Sequence, residues 1–189
     1  MNHPLLAEEG KAIRDPVWGY IHVPAPVLAL VDTEDFQRLR NITQLGYVHL
    51  VYPGARHSRF EHSLGVYHLA KQFLARLLDS DPPLELADED VRVFIAATLL
   101  HDIGHYPFSH TLEELMPFFV LHEERARQII EDSDSAIYQV IAEQFEIDPV
   151  RVANVIDYKN KDREIPPRDL LLANILSGTL DPDKIDYLL

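Results

Sequence analysis

With 47% hydrophobic and 25% charged residues over 189 positions, the chain has the make-up of one folded domain, since domains run about 100–200 residues. A net charge of −14 argues against a general nucleic-acid binder, which presents a basic face, but leaves room for a small phosphate substrate steered by the field inside a cleft. The absence of cysteine excludes disulfides and thiolate metal ligands.

In chain order, residues 1–15 lack the apolar core of a secretory signal. The longest apolar runs, such as 93–100, fall short of the ~18 residues that span a bilayer. A soluble, cytoplasmic protein with no membrane partner is therefore expected. The alternation around Tyr20–Val23 predicts a short strand or hairpin, with Gly46–Tyr52 as a second strand. Asp32 or Thr33 caps a helix running to about Gln44, and a second helix runs from Arg59 to Leu78 with apolar residues at helical spacing. The acidic turn Asp88-Glu-Asp90 opens a third, which carries the apolar run 91–100 and ends by Gly104 or Pro107. One helix is expected over Glu123–Phe145, and another over Pro149–Tyr158, capped by Asp148 with proline in its first turn. Two more follow, over Arg168–Leu176 and from Asp181-Pro182 onward. The fold class is mostly α, a helical bundle with a small N-terminal β hairpin. The last helix carries Leu188 and Leu189 with no partner surface in view, so residues 1–189 are read as one domain forming the N-terminal part of a longer, truncated chain.

The chemistry concentrates in the histidines. Seven of ten (His49, His57, His62, His68, His101, His105 and His110) fall within a third of the chain. His101 and Asp102 close a long apolar helix, where adjacent polar groups are costly without partners. A helix end turning to solvent is the bland reading, and it weakens with three histidines in ten residues and Gly104 and Pro107 bending the chain between them. A zinc-protease reading of His101 and His105 fails, because that motif needs an unbroken helix and a glutamate beside the first histidine. Arg59 and His62 lie three apart at a helix start and share a face. Asp181-Pro-Asp183-Lys184 alone would be an ordinary N-cap with a first-turn acid.

Taken in order, His62, then His101-Asp102, then Asp183 resembles the H…HD…D metal signature of the HD superfamily. The likeness is closer still: Asp15-Pro-Val-Trp-Gly, Asp35-Phe-Gln-Arg-Leu-Arg40, Gln44-Leu-Gly46, the stretch from Tyr52 to Val66 and His101-Asp-Ile-Gly-His-Tyr-Pro-Phe-Ser-His110 are similar to the dNTP triphosphohydrolases of the dGTPase and sterile-alpha-motif/HD type. That resemblance implies an HD-domain bundle with one divalent ion (Mn, Fe, Zn, Ni or Mg) held by His62, His101, Asp102 and Asp183. It implies that Arg59 grips the substrate phosphates, and that His105 and His110 line the α-phosphate. His122 is the first candidate for general acid, ahead of His110 and His105. Lys184 and Tyr187 face phosphate and sugar, and Gln44 and Leu45 read the sugar. The implied activity is hydrolysis of a dNTP to deoxynucleoside and inorganic tripolyphosphate, in a homo-oligomer that also has room for an activating nucleotide. The alternatives are an HD phosphatase or phosphodiesterase acting on other nucleotides, and a non-catalytic HD module that senses nucleotides. The family pattern past Tyr187, an Arg-Asp pair and later base contacts, has no counterpart in this sequence.

Overall fold

The computed structural model describes residues 3–108, 112, 118–178 and 181–188. The chain is mostly α-helical, with one two-stranded antiparallel sheet near its N-terminus. Strand β1 (Lys11–Asp15) pairs with β2 (Gly19–Val23), Ile13 opposite Ile21, and β2 buries Ile21 and Val23 completely. The turn between them is built by Asp15, whose Oδ1 accepts the backbone N–H groups of Val17 and Trp18, both at 2.8 Å.

Helix α1 (Ala25–Val31), which has no counterpart in the sequence expectation, begins between Pro24 and Pro26. Prolines in a first turn cost no hydrogen bond, and this one buries Val27, Leu30 and Val31. Thr33 caps α2 (Glu34–Arg38), which tightens into a 3-10 turn (Leu39–Asn41) and stops well before Gln44. The stop has a cause: Ile42 is extended, and its carbonyl accepts Arg59 N–H at 2.8 Å while Gln44 N–H reaches the His57 carbonyl at 3.0 Å. This short clasp sets Gln44 and Leu45 beside the start of the next helix. Residues Gly46–Leu50 then form a 3-10 helix in place of the expected strand. Gly46 at φ +54° starts it, no strand lies alongside among the described residues, and Tyr47, Leu50, Val51 and Tyr52 are exposed, so the alternating pattern had no face to bury.

Helix α3 (Arg59–Leu78) is the central element. Ser58 and Glu61 form a reciprocal capping box at its start, and twelve of its residues are buried. Helix α4 (Asp88–Leu100) packs against it, starting where Asp90 accepts Ala87 N–H and continuing through a buried run to Leu100. The long helix expected over 123–145 is two helices, α5 (His122–Glu131) and α6 (Ala136–Glu143). The polar run 132–135 separates them: Asp132 accepts from Asp134 N–H, and Ser135 caps α6 by accepting from Tyr138 N–H. Helices α7 (Pro149–Ile156), α8 (Pro167–Leu176) and α9 (Pro182–Tyr187) follow, with Asp148 and Asp181 as the N-caps of α7 and α9. A buried ionic lattice ties α4, α5, α7 and α8 together: Arg127 bonds Asp157 and Asn154, while Arg151 bonds Asp90 and Asp169. Helix α9 lies on α3. Among the described residues no helix is long and apolar enough to cross a membrane.

Candidate metal centre

Three elements bring the site together. His62 lies in the first turn of α3, and His101 and Asp102 sit where α4 ends; Asp183 is in the first turn of α9. The 121 positions between His62 and Asp183 close to 3.0 Å, from Nε2 to Oδ1. His62 Nε2 lies 3.9 Å from Asp102 Oδ2, and His101 Nε2 lies 3.6 Å from Asp102 Oδ1 and 3.9 Å from Asp183 Oδ1. An ion bound at about 2.1 Å holds adjacent octahedral donors roughly 3.0 Å apart and opposite ones roughly 4.2 Å apart. The four separations fall within that span. His62, His101 and Asp102 by themselves form a group able to hold an ion.

His101 provides a test of fit. Its Nδ1 lies 2.8 Å from the Thr98 carbonyl, an acceptor only, so Nδ1 carries the proton and Nε2 presents a lone pair. That Nε2 is buried without a hydrogen-bond partner among the described residues, and it points into the donor cluster. A buried imidazole lone pair with nothing to accept is costly unless a cation completes it. The residues fit a divalent ion.

The electrostatics agree. Burial would raise the Asp102 carboxyl, but His101 first, then His105 and the Arg59 guanidinium at 2.5 Å, hold it well below the usual carboxylate range. Burial likewise opposes ionisation of Asp183, but the His62 hydrogen bond together with the charges of His101 and His62 lowers it below its ordinary value. His62 is itself buried, yet Asp183, Asp186 and Asp102 raise it to about 9 in the ion-free protein. His105 goes the other way. Burial pushes it down to about 4, only partly opposed by Asp102, so at neutral pH it is a neutral ring whose Nε2, 3.2 Å from Asp102, donates to that carboxylate.

A cavity of about 490 Å³ opens over the cluster. Arg59 faces it from its seat on Asp102, and Gln44 and Leu45 form part of its wall. His105, His122 and Lys184 line it as well. Lys184 is tied down, bonded to the Gly178 carbonyl and to Asp181 Oδ2. His101 opens on an adjoining recess that shares Asp102, His122 and Asp183. His110 and the side chain of Tyr187 lie outside the described residues. Two wall residues were missed from sequence: Glu123, whose Oε2 is 3.3 Å from His122 Nδ1, and Lys159, which has no ion-pair partner among the described residues and lines both the cavity and the recess. Lys159 follows a helix end with no pattern to flag it.

Gly104 explains how His122 reaches the site. A Cβ there would stand 1.9 Å from the His122 carbonyl oxygen and 2.6 Å from Ala126 N, so only glycine lets the start of α5 abut the His-Asp turn. Arg38 and Arg125 secure the same turn by donating to the carbonyls of Ile103, Gly104 and His105.

The model of the HD domain matches residues 59–186, which contain all four candidate ligands. The chain belongs to the HD domain family. It is 40% identical over 186 residues to the uncharacterized protein YwfO of Bacillus subtilis, covering 97% of this chain and 40% of that protein. It is 33% identical over 191 residues to the deoxynucleoside triphosphate triphosphohydrolase SAMHD1 homolog of Dictyostelium discoideum, covering 96% and 36%. Among solved structures, a phosphohydrolase from Bacteroides thetaiotaomicron superposes with a TM-score of 0.74 at 35% identity, covering 95% of this chain and 41% of that one. This HD domain chain thus spans about two-fifths of the length of the relatives it matches over nearly all its residues.

Proposed function

We propose that this HD domain is the catalytic core of a dNTP triphosphohydrolase, which releases deoxynucleoside and intact inorganic tripolyphosphate. The observation that carries the reading is one cavity: the donors His62, Asp102 and Asp183, Arg59 and the Gln44–Leu45 pair face the same space. The metal donors would suit any HD phosphohydrolase. Arg59 with Gln44 and Leu45 is what narrows the choice, together with the relatives named as dNTP triphosphohydrolases.

His62, His101, Asp102 and Asp183 would hold the ion. A divalent ion in that place supplies Lewis acidity toward a phosphoryl oxygen and acidifies a water. The chain's own groups do the rest. Arg59, oriented by Asp102, offers a planar fork to phosphate oxygens, and Lys159 and Lys184 add charge along the triphosphate. Gln44 and Leu45 close the sugar end and leave little room for a 2′ hydroxyl. Water adds to the α-phosphorus and the bond from phosphorus to the 5′ oxygen breaks. That oxygen takes a proton from His122, which is favoured over His105 because neutral His105 spends its N–H on Asp102. His110 keeps its implied place beside the α-phosphate, and Tyr187 beside the sugar. An assembly of several copies, an activating nucleotide and a cytoplasmic setting belong to the same proposal through the family resemblance.

The test is incubation of the protein, supplied with Mn or Mg, with each of the four dNTPs in ¹⁸O water. Deoxynucleoside and labelled tripolyphosphate are expected. A deoxynucleoside mono- or diphosphate as first product would sink the reading in favour of a general HD phosphatase. Nucleotide binding without turnover would favour a sensor.

A further inference from the structure

We propose that Asp186 is a positioning residue for the metal ligand His62, and that Trp18 in the β1–β2 turn positions Asp186 in turn. This inference rests on the proposed metal centre and adds to it two residues and one element that the donor set does not include.

Both ring nitrogens of His62 are engaged. Nε2 points into the donor cluster, and Nδ1 lies 2.8 Å from Asp186 Oδ2. A histidine that binds an ion through Nε2 must carry its proton on Nδ1. A carboxylate at that nitrogen fixes both the tautomer and the ring plane and makes the ligand more basic. Asp186 is three residues after Asp183, so one turn of α9 directs one carboxylate at the ion position and the next at the back of the opposing histidine. The other Asp186 oxygen, Oδ1, accepts the indole N–H of Trp18 at 2.7 Å. Each carboxylate oxygen therefore has one donor, from a different element.

The approach is made possible by Gly65, three residues beyond His62 in α3. A Cβ at Gly65 would stand 1.9 Å from Asp186 Oδ1 and 2.8 Å from Trp18 Nε1. Any side chain there would push both partners away. Trp18 is fixed from its own side by the Asp15 turn and rests against the His68 ring, with centroids 5.5 Å apart. The hairpin, which contributes no metal donor, thereby sets the orientation of one.

The test measures Mn(II) affinity of the protein by titration calorimetry for the wild type, Asp186→Asn and Trp18→Phe. It is paired with nitrogen NMR of the histidine rings in the Zn(II)-loaded wild type. The expected spectrum has His62 bound through Nε2 with its proton on Nδ1, shifted far downfield by Asp186. Asp186→Asn should weaken Mn(II) binding about 10- to 100-fold, the usual cost of losing such an outer partner, and move the His62 signals. Trp18→Phe, which keeps the ring and removes only the N–H, should weaken it several-fold. Unchanged affinity and unchanged His62 signals in Asp186→Asn would overturn the proposal, and unchanged affinity in Trp18→Phe would remove the tryptophan from it. Should Asp186→Asn fail to fold, the wild-type spectrum still decides: ligation through Nδ1, or a proton on Nε2, refutes the arrangement. A wild type that binds Mn(II) and shows the expected tautomer but leaves dNTPs intact would refute the proposed activity alone. A wild type that binds no ion would overturn both.

Discussion

His105 and His122 lie ring on ring, 3.9 Å between centroids and 14° from parallel, although they come from the turn after α4 and the first residue of α5. The pairing gives the two rings unequal work. His105 is buried, neutral and bonded to Asp102, whereas His122 stands at the cavity wall beside Glu123. His122→Ala should lower kcat by about 10²- to 10⁴-fold, the usual range for losing a general acid, with Mn content unchanged by elemental analysis. Loss of metal together with rate would reassign His122 to the metal centre.

Gly104→Ala forces a methyl group against the His122 carbonyl at 1.9 Å and the Ala126 amide at 2.6 Å, both backbone atoms that cannot rotate away. The start of α5 must shift. Overpacking of this kind costs roughly 1–3 kcal/mol, so a fall in thermal midpoint should accompany a loss of turnover at least as severe as His122→Ala alone. A variant of wild-type stability and rate would show that the α5 start is not held by this contact.

Asp102→Ala removes a candidate ligand and the carboxylate on which buried Arg59 rests. Metal and activity should disappear together, and stability should fall by roughly 3–5 kcal/mol in denaturant unfolding, the cost of breaking a buried ion pair. Arg59→Ala should instead retain the ion while raising KM for dNTP, because Asp102 keeps its other partners. Metal retained in Asp102→Ala would refute the donor assignment.

Lys159 and Lys184 make an unequal pair of cations. Lys184 is bonded to Asp181 and the Gly178 carbonyl, while Lys159 is exposed beside the same cavity. Lys159→Ala should weaken binding of inorganic tripolyphosphate about 3- to 10-fold, more so at low salt, since an exposed charge acts through a screened field. Lys184→Ala should also lower the thermal midpoint by loosening the α9 cap. Equal effects of both variants on stability would contradict this division.

Stability of the metal-free protein should depend on pH in two opposed windows. His62, raised to about 9 from an ordinary 6.5, holds in the folded state a proton that the unfolded chain gives up. Its contribution is complete below pH 6.5 and is lost as pH climbs to 9. His105, pushed down to about 4, resists a proton that the unfolded chain accepts, so stability falls as pH drops from 6.5 toward 4. Thermal melts in EDTA should therefore peak near pH 6.5. Mn(II) requires a deprotonated His62 Nε2, so the ion-loaded protein should lack the alkaline decline. A metal-free midpoint that rises between pH 7 and 9 would contradict the assigned His62 environment.

Much of this was legible where local signals and tertiary demands coincide. The start of α3 at Arg59 is the same in sequence and in space, and the caps Asp148 and Asp181 mark the starts of α7 and α9 in both. The order of His62, His101-Asp102 and Asp183 pointed to groups that do converge. Three things were hidden for physical reasons. The 46–50 segment has strand-like residues, but strand formation needs a partner edge, which no local pattern reveals. The break at 132–135 depends on side chains capping two helices, whereas the apolar rhythm runs on across it. Asp186 joins residues 124 and 168 positions away, and its only local trace is its spacing from Asp183.

The placement of Asp183 and Asp186 on the last described helix has a consequence for biosynthesis. His62, His101 and Asp102 emerge from the ribosome first, and Asp183 follows Asp102 by 81 residues. At translation rates of about 5–20 residues per second, the nascent chain carries an unfinished chelate for about 4–16 s. During that interval any ion already bound has one carboxylate fewer to hold it and can exchange with the surrounding pool. Docking of α9 onto α3 would end that exchange at the proposed site, so the ions around the chain at the moment α9 emerges would help to set which metal is retained.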